Sequence, residues 1–154
     1  MHVKRLNKVA NPVTAVLAAE YVKMLTRPDL LRMDQIGCCV AWPETIKALL
    51  EDRDISGLAV GTPDAFLAND WKREVVIHAE HHSFKDGQSI DKIIPRIAVR
   101  QLAVPLCRSR RQFVLIGSTR YYQSLPHWRE LRELFEIIQE RGRIIGPDDL
   151  PFIL

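Results

Sequence analysis

The sequence contains little cysteine. Its 154 residues include only Cys38, Cys39 and Cys107, and none of them belongs to a Cys-x-x-Cys pair. An odd number of cysteines, two of them adjacent, is not the pattern of a disulfide framework or a zinc knuckle. No local histidine is placed to activate a cysteine nucleophile. We therefore expect small, buried apolar thiols in a reducing cytoplasm.

Long apolar runs and glycine-rich loops are also missing. No run approaches the roughly 20 apolar residues that span a bilayer, and the basic residues 1–13 lack the apolar centre of a secretory signal. Neither GxxxxGK[ST] nor GxGxxG occurs, so a glycine-rich loop for nucleotide phosphates is not indicated. The sequence predicts a cytoplasmic protein without a membrane partner.

The composition that remains is typical of a globular protein, with 47% hydrophobic and 27% charged residues. The length predicts one domain over residues 1–154, with a basic arm at residues 1–10. The net charge is only +3, but five arginines fall within 16 residues: Arg96, Arg100, Arg108, Arg110 and Arg111. Such a patch predicts a nucleic-acid partner, although a solvated helix surface gives the same pattern.

The first helix is predicted from Pro12, with Asn11 as its cap, to Arg27-Pro28. Its expected core-facing stripe consists of larger apolar residues at helical spacing: Val13, Val16, Leu17, Tyr21 and Met24. Glu20 falls inside that stripe. A carboxylate facing the core needs a partner, a metal ion or a cleft, so Glu20 is a candidate site residue unless it reaches solvent or an arginine.

Strands are predicted at residues 36–42, 55–60 with a continuation at 64–67, 74–82 and 113–117. Helices are expected at residues 43–50 and 89–104, and from Pro126 to a stop at Gly142. This order predicts an α/β or α+β fold. Its central mixed sheet would have four to five strands flanked by helices, in an α-β-β-β-α-β core. Residues 64–67 and 74–82 are expected to pair as a hairpin.

The strand at 74–82 carries an unusual polar end. Side chains alternate along a strand, so His78, Glu80 and His82 are expected on one face. A hairpin would bring Asp64 close to Glu80, and with Glu20 these carboxylates would form an oxygen-ligand site for Mg²⁺ or Mn²⁺. Such an ion activates water for hydrolysis, and His82 could assist as a base or ligand.

Taken together, Pro63-Asp64 and Glu80-x-His82 resemble the motif of the restriction-endonuclease-like, PD-(D/E)xK, nuclease superfamily. The resemblance extends over residues 11–117. It implies hydrolysis of phosphodiester bonds in nucleic acid, with Asp64 and Glu80 as metal ligands and Glu20 as an auxiliary ligand. The five arginines named above would hold the backbone phosphates, so binding would weaken with salt.

The sequence departs from this family at one position. His82 stands where the family has a lysine, which helps to activate the attacking water. Lys85, three residues later, or Lys72 across the expected hairpin would have to replace its charge. The implied catalytic residues are therefore Asp64, Glu80, His82 and Lys85.

Three alternatives remain open on the sequence. A zinc site could use His78, Glu80 and His82, but a structural zinc ion usually has four ligands. A non-catalytic domain could bind nucleic acid or protein, with a homodimer among its assemblies, because the motif lysine is missing. A small anionic ligand could bind in a cleft formed by histidine and arginine.

Overall fold

The computed structural model describes residues 12–28, 30–79, 95–117, 119–123 and 128–146. The strands in these ranges are β1 (Ile36–Cys39), β2 (Ala59–Gly61), β3 (Arg73–Ala79) and β4 (Ser109–Ile116). The α-helices are α1 (Pro12–Leu25), α2 (Pro43–Glu51), α3 (Pro63–Ala68), α4 (Pro95–Arg108), α5 (Thr119–Gln123) and α6 (Trp128–Arg141). A short 3₁₀ turn at Met33–Gln35 precedes β1.

Several helix boundaries follow from local chemistry. Proline occupies the first position of α2 and α3, where its missing N–H costs no hydrogen bond. Thr62 caps α3, because its hydroxyl oxygen accepts a bond from the Ala65 N–H at 3.2 Å. Gly142 follows α6, and its N–H donates to the Ile138 carbonyl at 2.8 Å.

The four strands form one sheet in the order β2-β1-β3-β4. Every pairing in the described part of the sheet is parallel, with Cys38 opposite Val60 on one side and Ile77 on the other. Parallel neighbours cannot be joined by a tight turn. The chain therefore crosses through α2 between β1 and β2, and through α3 between β2 and β3.

Helices cover both faces of the sheet. On the α1–α2 face, Ile36, Cys38 and Ile77 pack against residues of those two helices. On the α3–α4 face, Cys39 and Val76 pack against Phe66 of α3 and Val104 of α4. That face continues to α5 and α6, which pack with Phe113 and Leu115 of β4. Each central strand is therefore apolar on both sides, as burial of a parallel sheet requires.

The predicted α/β class and the four-stranded sheet between helices are confirmed. The expected opposite orientation of Val76 and Ile77 is also confirmed. The sheet differs from the prediction because its described pairings are parallel, whereas a mixed sheet was expected. The strand at 64–67 was wrong: these residues belong to α3, which Thr62 and Pro63 initiate. The hairpin is wrong as well, because β1 lies between β2 and β3.

The predicted stripe of α1 was partly wrong. Val16 and Tyr21 pack against the core as expected, but Val13 is 57% exposed. The fully buried residues of α1 are small: Thr14, Ala15, Ala18, Ala19 and Val22. Small side chains allow α1 to approach both the sheet and α2 closely, and α1 contacts both. Among the helices that the structure describes, none has the length and apolar character needed to cross a membrane.

Candidate functional site

The centre of the sheet contains a change in chain direction. The connection that leaves β1 runs outward to β2 through α2, which packs on the α1–α2 face. The chain after β3 runs outward in the other direction, to β4, and α4 before β4 packs on the opposite face. In open α/β sheets this arrangement leaves a crevice beyond the carboxyl ends of the two central strands. We call this the carboxyl edge; it includes the ends of β1 and β3 and the starts of α2 and α3.

His78 joins the two strands at this edge. Its side chain is 2% exposed, and its Nδ1 lies 2.8 Å from the carbonyl oxygen of Cys39. A carbonyl oxygen only accepts hydrogen bonds, so Nδ1 is the protonated nitrogen that donates. This bond fixes the orientation of the ring and ties the end of β1 to the end of β3.

Asp64 also lies at the carboxyl edge, in the first turn of α3. It forms an ion pair with Arg100 of α4, and the two side chains are 78% and 51% exposed. Exposed pairs of this kind contribute about 0–1 kcal/mol. Asp64 and Arg100 can therefore exchange this contact for a ligand at little energetic cost.

Glu20 lies on the other side of the sheet. Arg53 Nε donates to its carboxylate at 2.6 Å, and Arg53 NH1 donates to the Leu49 carbonyl at 2.9 Å. The sequence left open that Glu20 reaches an arginine, and this is what the structure shows. Because Glu20 packs on the α1–α2 side and Asp64 on the α3–α4 side, the structure does not bring these two predicted metal ligands together.

Glu80, His82 and Lys85 lie outside the described residues. Their predicted catalytic and metal-binding roles, and the resemblance that implies them, stay predictions. Within the described ranges, no group of three or more His, Cys, Asp or Glu side chains could hold a metal ion. The sequence does show that Glu80 directly follows Ala79, the last residue of β3.

The structure divides the predicted arginine patch. Arg100 is near the carboxyl edge with Asp64, whereas Arg108, Arg110 and Arg111 lie at the end of α4 and the start of β4. The side chain of Arg96 lies outside the described part of the chain. We call the starts of β3 and β4, residues 70–74 and 108–111, the amino edge.

A β-bulge organises the amino edge. Arg73 pairs with Ser109 and Val75 with Gln112, so the single residue Glu74 lies opposite both Arg110 and Arg111. Its two carboxylate oxygens lie 3.6 Å from Arg110 NH1 and 3.0 Å from Arg111 Nε.

Nearby, Arg108 NH1 donates to Asp70 at 2.8 Å. The described arginines of the predicted patch are thus each paired with a carboxylate.

The cysteines divide into two environments. Cys38 and Cys39 are buried, as expected, whereas Cys107 is exposed. Burial raises the pKa of the Cys38 thiol to about 12. Burial, with a smaller contribution from Cys38, raises the pKa of Cys39 to about 12. Both buried thiols are therefore protonated at neutral pH and are not nucleophiles.

Comparison with known proteins adds no assignment. No protein-family model matches the chain, and no functionally curated protein shows significant similarity to it. Among the predicted residues, the structure places Asp64 and Arg100 together at the carboxyl edge. His78, which the sequence analysis named as a possible zinc ligand, is fixed between the two central strands there.

Proposed function

We propose that the protein binds a small ligand carrying a phosphate group at the carboxyl edge, beyond the ends of β1 and β3. The observation that supports this most is the change in chain direction at these two strands. Ligands of open α/β sheets bind at such points, where crossover helices on opposite faces diverge.

This edge carries groups of both signs: the amino end of α2 and Arg100 attract an anion, whereas Glu44 and Asp64 oppose it. The amino end of α2, a nine-residue helix, faces it. The first N–H groups of a helix lack partners within the helix, and they carry the positive end of its dipole. A phosphate group is the common ligand of such a position. Arg100 adds a half-exposed guanidinium at the start of α3.

His78 would support this site from within the sheet, because it is buried and joins the ends of β1 and β3. It is the last polar residue of β3 within the described ranges, and its ring is held by the Cys39 carbonyl. A fixed ring needs no ordering when a ligand arrives, so less binding energy is lost. Glu80 directly follows Ala79 in the chain.

Hydrolysis of a phosphodiester bond, with Mg²⁺ or Mn²⁺ held by Asp64 and Glu80, is the specific reaction that the sequence resemblance implies. Because Asp64 lies at the carboxyl edge, this hydrolysis would take place there. Binding of nucleic acid without cleavage corresponds to the non-catalytic alternative. Both are outcomes of the experiment below.

The experiment measures binding of 5′-adenosine monophosphate, inorganic phosphate and a 16-nucleotide single-stranded DNA by isothermal titration calorimetry. The DNA is also incubated with Mn²⁺ or with chelator to detect cleavage. We expect at least one phosphate-bearing probe to bind and to raise the melting temperature. The proposal fails if none of the three binds.

Two variants locate the site. Glu44 and Glu51 are exposed residues at opposite ends of α2. Glu44→Lys adds positive charge at the carboxyl edge, and we expect it to strengthen phosphate binding about three- to tenfold, on the scale of helix-terminus charge effects. Glu51→Lys makes the same charge change at the far end and should alter affinity less than twofold. Equal effects of the two variants would contradict a site at the start of α2.

A further inference from the structure

Three described arginines are half-buried: Arg53, Arg73 and Arg108. Arg53 is paired with Glu20, and Arg108 is paired with Asp70. Arg73 has no carboxylate partner among the residues that the structure describes. Its NH1 donates to the Lys72 carbonyl at 2.8 Å, while its buried Nε has no hydrogen-bond partner. Arg73 is thus the exception among the half-buried arginines that the structure describes.

This exception is energetically unfavourable in the unliganded protein. A guanidinium carries five N–H donors and is charged at every physiological pH. Burying part of such a group without an acceptor loses the hydrogen bonds that water would provide. An anion that accepts from the terminal N–H groups of the guanidinium would supply acceptors in the two-pronged geometry that arginine favours.

The position of Arg73 is fixed by its aliphatic part. Its Cγ lies 3.2 Å from where a Cβ on Gly37 would be, and the ring of Phe66 lies 3.1 Å from the same point. The missing side chain of Gly37 therefore makes room for the stem of Arg73 and for Phe66. Phe66 is held in turn by an edge-on contact with Trp71, at a centroid distance of 5.2 Å. The guanidinium is placed before any ligand binds.

The starts of β3 and β4 are strongly positive, and Asp34, the carboxylate just before β1, is paired with Arg32. The amino edge, residues 70–74 and 108–111, contains five basic residues and only two acidic ones. Both acidic residues are already engaged: Asp70 by Arg108, and Glu74 by Arg110 and Arg111 together through the bulge. Glu74 serves two guanidiniums, so neither carboxylate is left for Arg73 or for the exposed Lys72.

We propose that the amino edge is a second anion-binding site, in which Arg73 anchors a phosphate group and Lys72, Arg110 and Arg111 add charge. The phosphate could belong to a free ion or nucleotide or to a nucleic-acid backbone, since the recognising chemistry is the same. The site lies at the opposite end of the seven-residue strand β3 from the carboxyl edge, a separation of about 20 Å. It does not depend on the function proposed above.

The test uses two probes, inorganic phosphate and fluorescein-labelled 16-nucleotide single-stranded DNA. NMR detects binding of either probe at Arg73, and fluorescence anisotropy measures the affinity for the DNA. In the wild-type protein, phosphate or DNA should shift the Nε–H resonance of Arg73. Arg73→Gln should weaken binding of the responding probe about tenfold, the cost of losing one charge-assisted, two-pronged contact. Arg129→Gln removes one charge from exposed α6 and should change affinity less than twofold.

Two further variants keep the result clear. Lys72 is exposed, so Lys72→Gln should fold normally and weaken binding about two- to threefold, as loss of one surface charge does. Arg73→Lys retains the charge but loses the planar, two-pronged guanidinium, so its affinity should lie between those of the wild type and Arg73→Gln. A response to phosphate identifies a small-ligand site, and a response to DNA alone identifies backbone binding.

The inference is overturned if neither probe shifts the Arg73 resonance, or if Arg129→Gln weakens binding as much as Arg73→Gln. Glu44→Lys, which tests the carboxyl edge, should leave the Arg73 response unchanged. The two proposals can therefore fail separately.

Discussion

The two faces of the sheet are covered in different ways. On the α1–α2 face, small and aliphatic side chains pack closely, and the polar contact at its margin is the half-buried pair of Glu20 with Arg53. The α3–α4 face has an apolar centre but ends in polar groups, with His78 and Asp64 at one edge and Arg73 at the other. The difference indicates that the first face contributes mainly stability, with the amino end of α2 at its edge, while the second carries the candidate binding side chains.

The largest effect should come from the core of the α1–α2 face. Ile77→Ala removes a fully buried side chain and should lower the free energy of unfolding by about 2–5 kcal/mol, because it leaves a cavity. Urea denaturation measures this change. Ile137→Ala, at a site 46% exposed on α6, is the matched control and should cost less than about 0.5 kcal/mol. Phosphate affinity of folded Ile77→Ala should equal that of the wild type.

The adjacent thiols Cys38 and Cys39 test both faces at once, because their side chains point to opposite sides of the sheet. Their pKa values rise from 9.0 to about 12 on folding. Between these limits the unfolded chain loses protons that the folded chain keeps. Stability is therefore complete below pH 9 and declines as the pH rises towards 12, by about 1.4 kcal/mol per pH unit for each thiol.

Denaturation curves from pH 8 to pH 11 measure this decline. Cys38→Ala and Cys39→Ala should each make the pH dependence shallower, whereas Cys107→Ala, at the exposed site, should leave it unchanged. An unaltered slope in both buried variants would show that other groups cause the alkaline loss.

The smallest expected difference concerns the two acidic residues that the sequence placed in one metal site. Glu20→Gln weakens a half-buried contact to Arg53 and should cost about 1 kcal/mol. Asp64→Asn weakens an exposed pair and should cost less than about 0.5 kcal/mol. Melting temperatures measure both changes. A larger loss for Asp64→Asn would mean that the α3–α4 face depends on its edge for stability.

Much of the fold could be predicted because β-branched and apolar runs mark the strands and proline marks the helix starts. The error at Pro63-Asp64 arose because a Pro-Asp pair occurs both in the nuclease motif and at the start of a helix. It follows Thr62, and a threonine cap before Pro and Asp is also the signal for a helix start. Given that helix, β2 and β3 cannot form a hairpin. The Pro-Asp pair then lies at a helix terminus.

The arginines show what sequence alone could not provide. Five of them were predicted as one patch because they are close in the chain, yet Arg100 and Arg108 pair with different carboxylates along α4. Arg73 was missed because nothing in the string Lys-Arg-Glu distinguishes it. Arg73 lacks a carboxylate partner because Asp70 and Glu74 pair with other arginines, and the bulge places Glu74 opposite Arg110 and Arg111.

The bulge in β4 has a consequence for the whole second half of the sheet. Strand side chains alternate between faces, so one added residue exchanges the inward and outward positions on one side of it. With the extra residue in place, Phe113 and Leu115 face α5 and α6, while Val114 and Ile116 face α1. The bulge shifts the alternation of β4 by one residue, so that its apolar side chains point towards the helices on each face of the sheet. Two arginines opposite one glutamate are the visible result of that shift.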